Sequence, residues 1–342
     1  MKSELLSFII LTYNQEKTVE EAVNSALNQT YNNLEIILSD DCSQDKTYEI
    51  IERIANDYKG PHKLIINRNK NNLGISKHFN LATSMAKGEL FIMGAGDDIS
   101  LPHRVETLYS YWYPQKNDVF ALNSNFIMID EDGKEYLNGY PSYPQSDIII
   151  TDFGSNIKFP GCSTAYSRKL FECFDEIKEG LYEDIISYRR ALLLGKVQFI
   201  AQKLLKYRLV GITSQYLKKN KNNKILASVV VNKTISHLRF KHFIAAQIKT
   251  DIEKIGKPLP FLFKLYYFKT LFGYRLLTSR YLQKPFYLFL FLVINIFTNG
   301  KSYFYSEPIF YENIKLILLS LGPKGYIIAI EFVRLLRYYF LL

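Results

Sequence analysis

Cysteine is scarce in this 342-residue chain: Cys42, Cys162 and Cys173, with no CxxC pair. An odd, scattered set excludes a disulfide framework and suits free thiols in a reducing compartment. Two phosphate-binding signatures are also missing. No GxxxxGK[ST] occurs, and no GxGxxG follows the first strand-like run, so any phosphate-bearing ligand must be held by polar side chains and a metal. Long apolar runs are lacking too. "PFYLFLFLVINIF" falls short of the roughly 20 residues that span a bilayer as a helix, and "YIIAIEFVRLLRYYFLL" carries Glu331, Arg334 and Arg337; Leu282–Phe297 leaves only a re-entrant hairpin open. The opening "MKSELLSFIILTYN" carries Lys2 and Glu4 and too short an apolar stretch for an export signal. There is no internal repeat, no RNA-binding motif, and no low-complexity tract beyond Asn/Lys stretches near 67–72 and 218–224.

What is abundant is apolar and aromatic. Hydrophobic residues make up 48% and aromatics 15%, enough to build a large core and to exclude a disordered chain. The length suits one large α/β domain with an appendage. The net charge of +10 is divided unequally: residues 1–200 hold 20 Lys and Arg against 28 Asp and Glu, whereas residues 201–342 hold 23 against 5. A basic half of this kind reads either as a solvated surface or as a surface for anionic partners.

Along the first hundred residues, short apolar runs alternate with helical periods. "SFIILTY", "LEIIL", "HKLIINR" and "ELFIM" predict strands. Helices are predicted over Glu16–Asn28, Lys46–Tyr58 (with Ser43 or Asp45 as cap) and Ile75–Lys87. This rhythm predicts a parallel, doubly wound sheet, in which ligands lie at the carboxyl ends of the strands. Thr12–Asn14, Asp40–Asp41, Arg68 and Asp97–Asp98 all fall on that rim. Further strands are expected at "VFALNSNFIMID" and "DIIIT", a helix near Tyr182, and a strand pair or hairpin at "KVQFIAQKLLKYRL". From about Ser214 the chain turns to helices dense in Phe, Tyr, Leu, Lys and Arg.

The stretch "FIMGAGDDISLP" puts two like charges at the mouth of a buried strand. Adjacent aspartates there can serve a turn or cap, an acid/base pair, or a hard divalent cation with a phosphate-bearing ligand. The polar strand ends beside them, and the small residues Gly94, Ala95 and Gly96 that let a ligand approach the backbone, point to the metal.

Four segments carry a resemblance to a known family: "SFIILTYNQEKTVEEAVNSALNQTY", "LEIILSDDCSQDKT", "NNLGISKHFNLATSMAKGELFIMGAGDDISLPHRV" and "GLYEDIISYRRALLLGKVQFIAQKLLKYRL". In this order and spacing, over roughly residues 5–210, the chain resembles the family-2 glycosyltransferases. That resemblance implies a GT-A fold, a Rossmann-like, mostly parallel sheet flanked by helices, here with a mainly helical C-terminal extension. It implies that Thr12, Tyr13, Asn14, Glu16 and Asp41 hold the base and ribose of a nucleotide-sugar, Asp41 accepting from a uracil or thymine imide N–H. Asp97 is expected near the ribose or diphosphate, Arg68, Lys77 or His78 on the diphosphate in place of the usual Arg, and Asp98 on a divalent cation, Mn2+ or Mg2+. Asp184, the second acid of "ED", is expected to be the general base of an inverting transfer; without the resemblance, Glu183 and Asp184 read as acids starting a helix. Cys42 stands where Gly is usual, Ala95 where many relatives carry Asp, Phe79 where many carry Arg, and Val210 where His is frequent. These departures open a second reading, a catalytically impaired nucleotide-sugar-binding or scaffold subunit.

Two domains are expected: residues 1–213, catalytic, and residues 214–342, a basic and aromatic region. The tail reads either as helical core or dimer contact, leaving homo-oligomerisation open, or as amphipathic helices on a membrane surface. The second suits a lipid-linked glycan acceptor and a cytoplasmic enzyme peripheral to the inner face of the membrane. Nucleic acid fits the charge but not the apolar runs.

Overall fold

A computed structural model of the protein describes residues 3–135, 144–151, 159–209 and 227–258. The chain divides into two compact units, Met1–Asn223 with Thr250–Lys257, and Lys224–Lys249 with Pro258–Leu342. The change of character expected near residue 214 lies outside the described residues, as do both apolar runs of the tail. Among the described residues, no helix is long and apolar enough to cross a membrane.

The first unit opens as its pattern predicts. Strands β1 (Leu6–Thr12), β2 (Leu34–Asp40), β3 (Lys63–Arg68) and β4 (Leu90–Ala95) alternate with helices α1 (Val19–Leu27), α2 (Thr47–Asp57) and α3 (Ile75–Met85). The four strands pair in parallel in the order β3-β2-β1-β4. Every residue of β2 is buried, because helices cover both faces of a central parallel strand. Fully burying side chains such as Ile36, Ile37 and Leu38 contributes about 1.5–3 kcal/mol each. α1 packs Val19, Ala22, Val23 and Ala26 inward at helical spacing. β3, at the edge, alternates half-buried and exposed.

After β4 come β5 (Ile99–Ser100), α4 (Arg104–Trp112), β6 (Val119–Ile129), β7 (Ile148–Ile150), β8 (Thr164–Ser167), α5 (Arg168–Cys173), α6 (Glu183–Leu194), β9 (Lys196–Arg208) and α7 (Ala227–Lys254). The sheet continues β4-β8-β6-β9-β5, with β7 on β9, to nine strands. β8 runs antiparallel to both β4 and β6, so this half is mixed. "KVQFIAQKLLKYR" forms one long strand rather than the expected hairpin. Its pairing with β6 shifts register at Asn125, skipping from Ile200 to Lys203. A bulge of this kind absorbs Ala201 and the polar Gln202 without reversing the chain.

Arg190 of α6 makes a bidentate pair with Asp251 of α7, both bonds 2.9 Å and both side chains buried. Arg190 also lies over the Phe174 ring. The segment Thr250–Lys257 is thereby stitched into the first unit.

Candidate active site

The carboxyl ends of β1, β2 and β4 open into a cavity of about 520 Å³, within the usual range for small-molecule sites. Leu11, Thr12 and Tyr13 come from β1 and the turn after it. Asp41 follows β2, and Gly74, Ile75, His78 and Phe79 come from the start of α3. Met93, Gly94 and Ala95 end β4, while Gly161, Cys162, Tyr166 and Glu183 close the side beyond it.

Asp41 organises one end. It is 3% exposed. Its Oδ1 accepts Asn69 Nδ2 at 2.8 Å and the Leu73 N–H at 2.8 Å, and its Oδ2 accepts the Gly74 N–H at 2.9 Å. A carboxylate offers about four acceptor positions, so one remains, on Oδ2. Gly74 has φ +74, a left-handed backbone that suits glycine at this entry to α3. Thr12 is buried against Asp40, its Oγ1 3.1 Å from Oδ1, and Tyr13 stands at the rim, 45% exposed. His78 is buried with Nε2 2.8 Å from Ser39 Oγ. Burial pushes this imidazole below its ordinary range, against the pull of Asp41, Asp40 and the Ser39 carbonyl.

Three other expected binding residues are engaged elsewhere. Asn14 (φ 53) bonds the 43–44 turn: its N–H donates to Ser43 Oγ and its Oδ1 accepts the Gln44 N–H. Glu16 accepts the Lys46 N–H before α2. Lys77 pairs with Glu179 at 2.7 Å, both half-exposed or more.

The Asp97–Asp98 turn is clamped from behind by Arg208, the last residue of β9. The Arg208 N–H donates to Asp98 Oδ1 at 2.8 Å and Nε to the Asp97 carbonyl at 2.9 Å. Nη1 donates to the Asp130 and Glu131 carbonyls, and Nη2 to Glu21. Asp98 is buried and bonded to the Cys162 thiol; Arg104, fully buried, donates to the Cys162 carbonyl at 2.6 Å. Burial, then repulsion from Asp97, pushes Asp98 up to about 7. Asp97 is raised as well, chiefly by burial. The small residues before this turn are filled partly by the chain itself: a Cβ on Gly96 would come within 2.4 Å of Gln15 Oε1 and one on Gly94 within 2.8 Å of the Phe8 ring.

The buried Asp98 and the half-buried Asp97, both held toward the protonated state chiefly by burial, form a donor set that a hard cation relieves. Mg2+ and Mn2+ commonly need only one or two carboxylates beside phosphate oxygens. Among the described residues, no group of three or more His, Cys, Asp or Glu is placed to hold a metal alone. The residues fit a cation shared with a phosphate-bearing ligand.

At the far side, Glu183 and Asp184 start α6 and rest against Gly161, where a Cβ would come within 3.3 Å of Glu183 Oε1 and 3.4 Å of Asp184 Cβ. Asp184 Oδ1 accepts the Ile185 N–H at 2.7 Å. Burial, then the Asp184 charge, pushes Glu183 up to about 7, and the buried Tyr166 hydroxyl beside the pair is held above its usual range by burial and both acids. Glu183, rather than Asp184, is the acid that lines the cavity. Tyr166, Cys162 and Arg104 complete these surroundings without any local sequence signal of their own.

The sequence profile of glycosyl transferase family 2 matches residues 7–175. The putative glycosyltransferase EpsE of Bacillus subtilis is 33% identical over 42% of this chain and 51% of its own length. The Escherichia coli UDP-Glc:alpha-D-GlcNAc-diphosphoundecaprenol beta-1,3-glucosyltransferase WfaP is 30% identical over 49% of this chain and 61% of its own. The chain thus spans only about half the length of these curated relatives. The S. aureus TarS 1–349 structure in complex with UDP-GlcNAc superposes with a TM-score of 0.53 at 15% identity, over 86% of this chain and 89% of TarS 1–349, a likeness of fold. On its motifs, sheet and matches, residues 7–175 form a glycosyl transferase family 2 domain, and the fold is GT-A.

Proposed function

We propose that the protein is an inverting glycosyltransferase that moves a sugar from a UDP- or dTDP-linked donor to a hydroxyl of a lipid-linked glycan acceptor. One observation carries this reading. A single cavity has one spare acceptor position, on Asp41, at one end and Glu183, the first of the paired acids of α6, at the other. In the sheet order, β4, which leads into the Asp97–Asp98 turn, lies between β2 and β8, whose Tyr166 stands beside those acids.

The base enters beside Asp41, whose free Oδ2 position takes one imide N–H, with Tyr13 over the rim. Asp97 and Asp98 would hold a divalent cation; when bound, it neutralises charge on the leaving diphosphate. Lys77 reaches the diphosphate only by leaving Glu179. Asp184 takes the proton from the acceptor hydroxyl as that oxygen attacks the anomeric carbon from the face opposite the diphosphate. The bond from that carbon to the diphosphate oxygen breaks in the same step, which inverts the centre. Glu183, pushed up to about 7 by burial and then by the Asp184 charge, is about half protonated at that pH, which leaves more of the pair's negative charge on Asp184.

The activity for which WfaP is named, with a UDP-glucose donor and a diphosphoundecaprenol-linked acceptor, supports both substrate classes. Such an acceptor places the work at the inner face of the cytoplasmic membrane, with the basic tail as the surface-associating part. A panel of nucleotide-sugars, assayed for hydrolysis and transfer with and without Mn2+, tests the proposal. Asp184→Asn should keep UDP affinity while turnover falls about 10²–10⁴-fold. Unchanged turnover in this variant would move the base elsewhere, and no turnover with any donor would favour the scaffold reading.

A further inference from the structure

We propose that Asn80 is a positioning residue for the acid pair Glu183–Asp184, fixing through the segment 174–182 where those acids stand relative to the donor. The inference rests on the reading above, in which this pair supplies the general base, and it assigns no chemistry to Asn80 itself.

The segment 174–182 joins α5 to α6 without helix or strand, and its last residue immediately precedes Glu183. Its own apolar side chains hold it down, since Phe174, Ile177 and Leu181 are all buried. Apolar burial is non-directional, so it keeps the segment in place without setting its register along the neighbouring helix. Hydrogen bonds set that register. Asn80 Nδ2 donates to the Ile177 carbonyl at 2.8 Å, and Asn80 Oδ1 accepts the Ile177 N–H at 3.1 Å. One side-chain amide thus pairs with both backbone groups of a single residue, as a strand neighbour does in a hydrogen-bonded antiparallel pair. A slip of one residue would break both bonds. Ser76, one turn earlier on the same face of α3, donates from Oγ to the Leu181 carbonyl at 2.6 Å. At the exposed edge, Lys77 meets Glu179.

The same helix carries the donor end of the cavity. Its N-terminal end hangs from Asp41 through the Leu73 and Gly74 N–H groups, and Ile75, His78 and Phe79 line the cavity. α3 therefore works as a spacer: Asp41 sets its start, and Asn80 with Ser76 passes that position on to the residues before the acids. Asn80 is not among the residues that line the cavity, so its effect on turnover passes through the acids. The tolerance is small. Proton removal needs the base within hydrogen-bond reach of the acceptor hydroxyl, and a misplacement of about 1 Å can cost about 10²-fold in rate.

A double-mutant cycle on the full chain separates positioning from packing. Turnover is followed as release of UDP or dTDP from the panel of nucleotide-sugars, and the donor that wild type uses serves for every variant. Asn80→Ala should lower kcat by about tenfold or more, while KM for that donor and the Kd for UDP stay within about threefold. Asn80→Asp still accepts the Ile177 N–H but sets an oxygen against the Ile177 carbonyl, so it should fall as far. Ser76→Ala removes one bond and should show the same split between kcat and KM with a smaller loss. In the Asp184→Asn background, adding Asn80→Ala should cost less than about threefold, because no base remains to be misplaced. Hydrogen exchange gives a readout without turnover: in Asn80→Ala the amides of 177–186 should exchange faster, and those of 69–74, held by Asp41, should not. Unchanged kcat in Asn80→Ala, an equal loss in both backgrounds, or a parallel loss of UDP affinity would overturn the inference. Should Asn80→Ala fail to fold, Ser76→Ala decides by the same cycle. Normal turnover in Asp184→Asn, or no turnover of any donor by wild type, would instead remove the functional proposal and this inference with it.

Discussion

Asp41→Asn tests the architecture of the site before any chemistry is measured. The carboxylate accepts three N–H groups, from Asn69, Leu73 and Gly74, at 2.8, 2.8 and 2.9 Å. An amide can turn its oxygen toward Asn69 and Leu73, which keeps two of these bonds but aims its NH2 at the Gly74 N–H. A buried donor left unpaired costs about 1–3 kcal/mol. Here the cost sits near the lower end, because Gly74 N–H also reaches Asn72 Oδ1 at 3.0 Å. The two surviving bonds lose their charge assistance, a few tenths of a kcal/mol or more each. The sum is about 2 kcal/mol of folding stability, or roughly 4–8 °C in Tm for a unit of this size. Urea unfolding without ligand measures it directly. In the same variant the spare acceptor on Oδ2 becomes a donor, so UDP binding should weaken by about 1–3 kcal/mol in calorimetry. An Asp41→Asn protein that unfolds at the wild-type urea midpoint would refute the claim that the 69–74 segment hangs from this carboxylate.

Cys42 holds φ 63 in the turn after β2, so Cys42→Gly should raise stability by up to about 1 kcal/mol in urea melts; a lower midpoint would show that the turn carries no strain. Glu183 titrates at about 7 in the folded protein against 4.5 unfolded. Between those values folding takes up a proton, so this contribution is fully present below about pH 4.5 and is lost as pH rises to 7, about 3 kcal/mol in all. Glu183→Gln should flatten the fall in unfolding free energy between pH 5 and 7, leaving the part due to Asp98, and an unchanged slope would contradict the burial of this acid. Asp251→Asn strands the buried Arg190 guanidinium and should cost about 3–5 kcal/mol. Replacing both partners with apolar residues should recover most of that loss in the same denaturation assay.

The four parallel strands were legible because each is a short apolar run ended by polar residues, with all but the edge strand β3 largely buried, and their three helices declare one apolar stripe. β9 was not, because Gln202 and Lys203 interrupt its pattern as a turn would, and only pairing with β6 shows the bulge. The site was legible where its motif is local, as at Asp41, Asp97–Asp98 and Glu183–Asp184. It was hidden where function depends on distant partners. The Arg208–Asp98 contact joins residues 110 apart and the Arg208–Glu21 contact residues 187 apart. His78 was legible only as a stand-in for the missing Arg on the diphosphate; its burial in the cavity wall, with Nε2 2.8 Å from Ser39 Oγ, depends on a strand far from it in sequence.

The clamp at Arg208 also bears on how the protein is made. The first 100 residues contain the four parallel strands, the Asp41 network and the Asp97–Asp98 turn. The residue that fastens this turn to α1 and to the end of β6 arrives more than a hundred positions later. A nascent chain emerging from the ribosome can therefore assemble its base pocket early. It must then carry two adjacent aspartates, still unfastened, until β9 has been translated and paired in the sheet. Competence to bind a charged donor is thus withheld until the strand that completes the sheet is in place, so incomplete chains do not acquire a finished site.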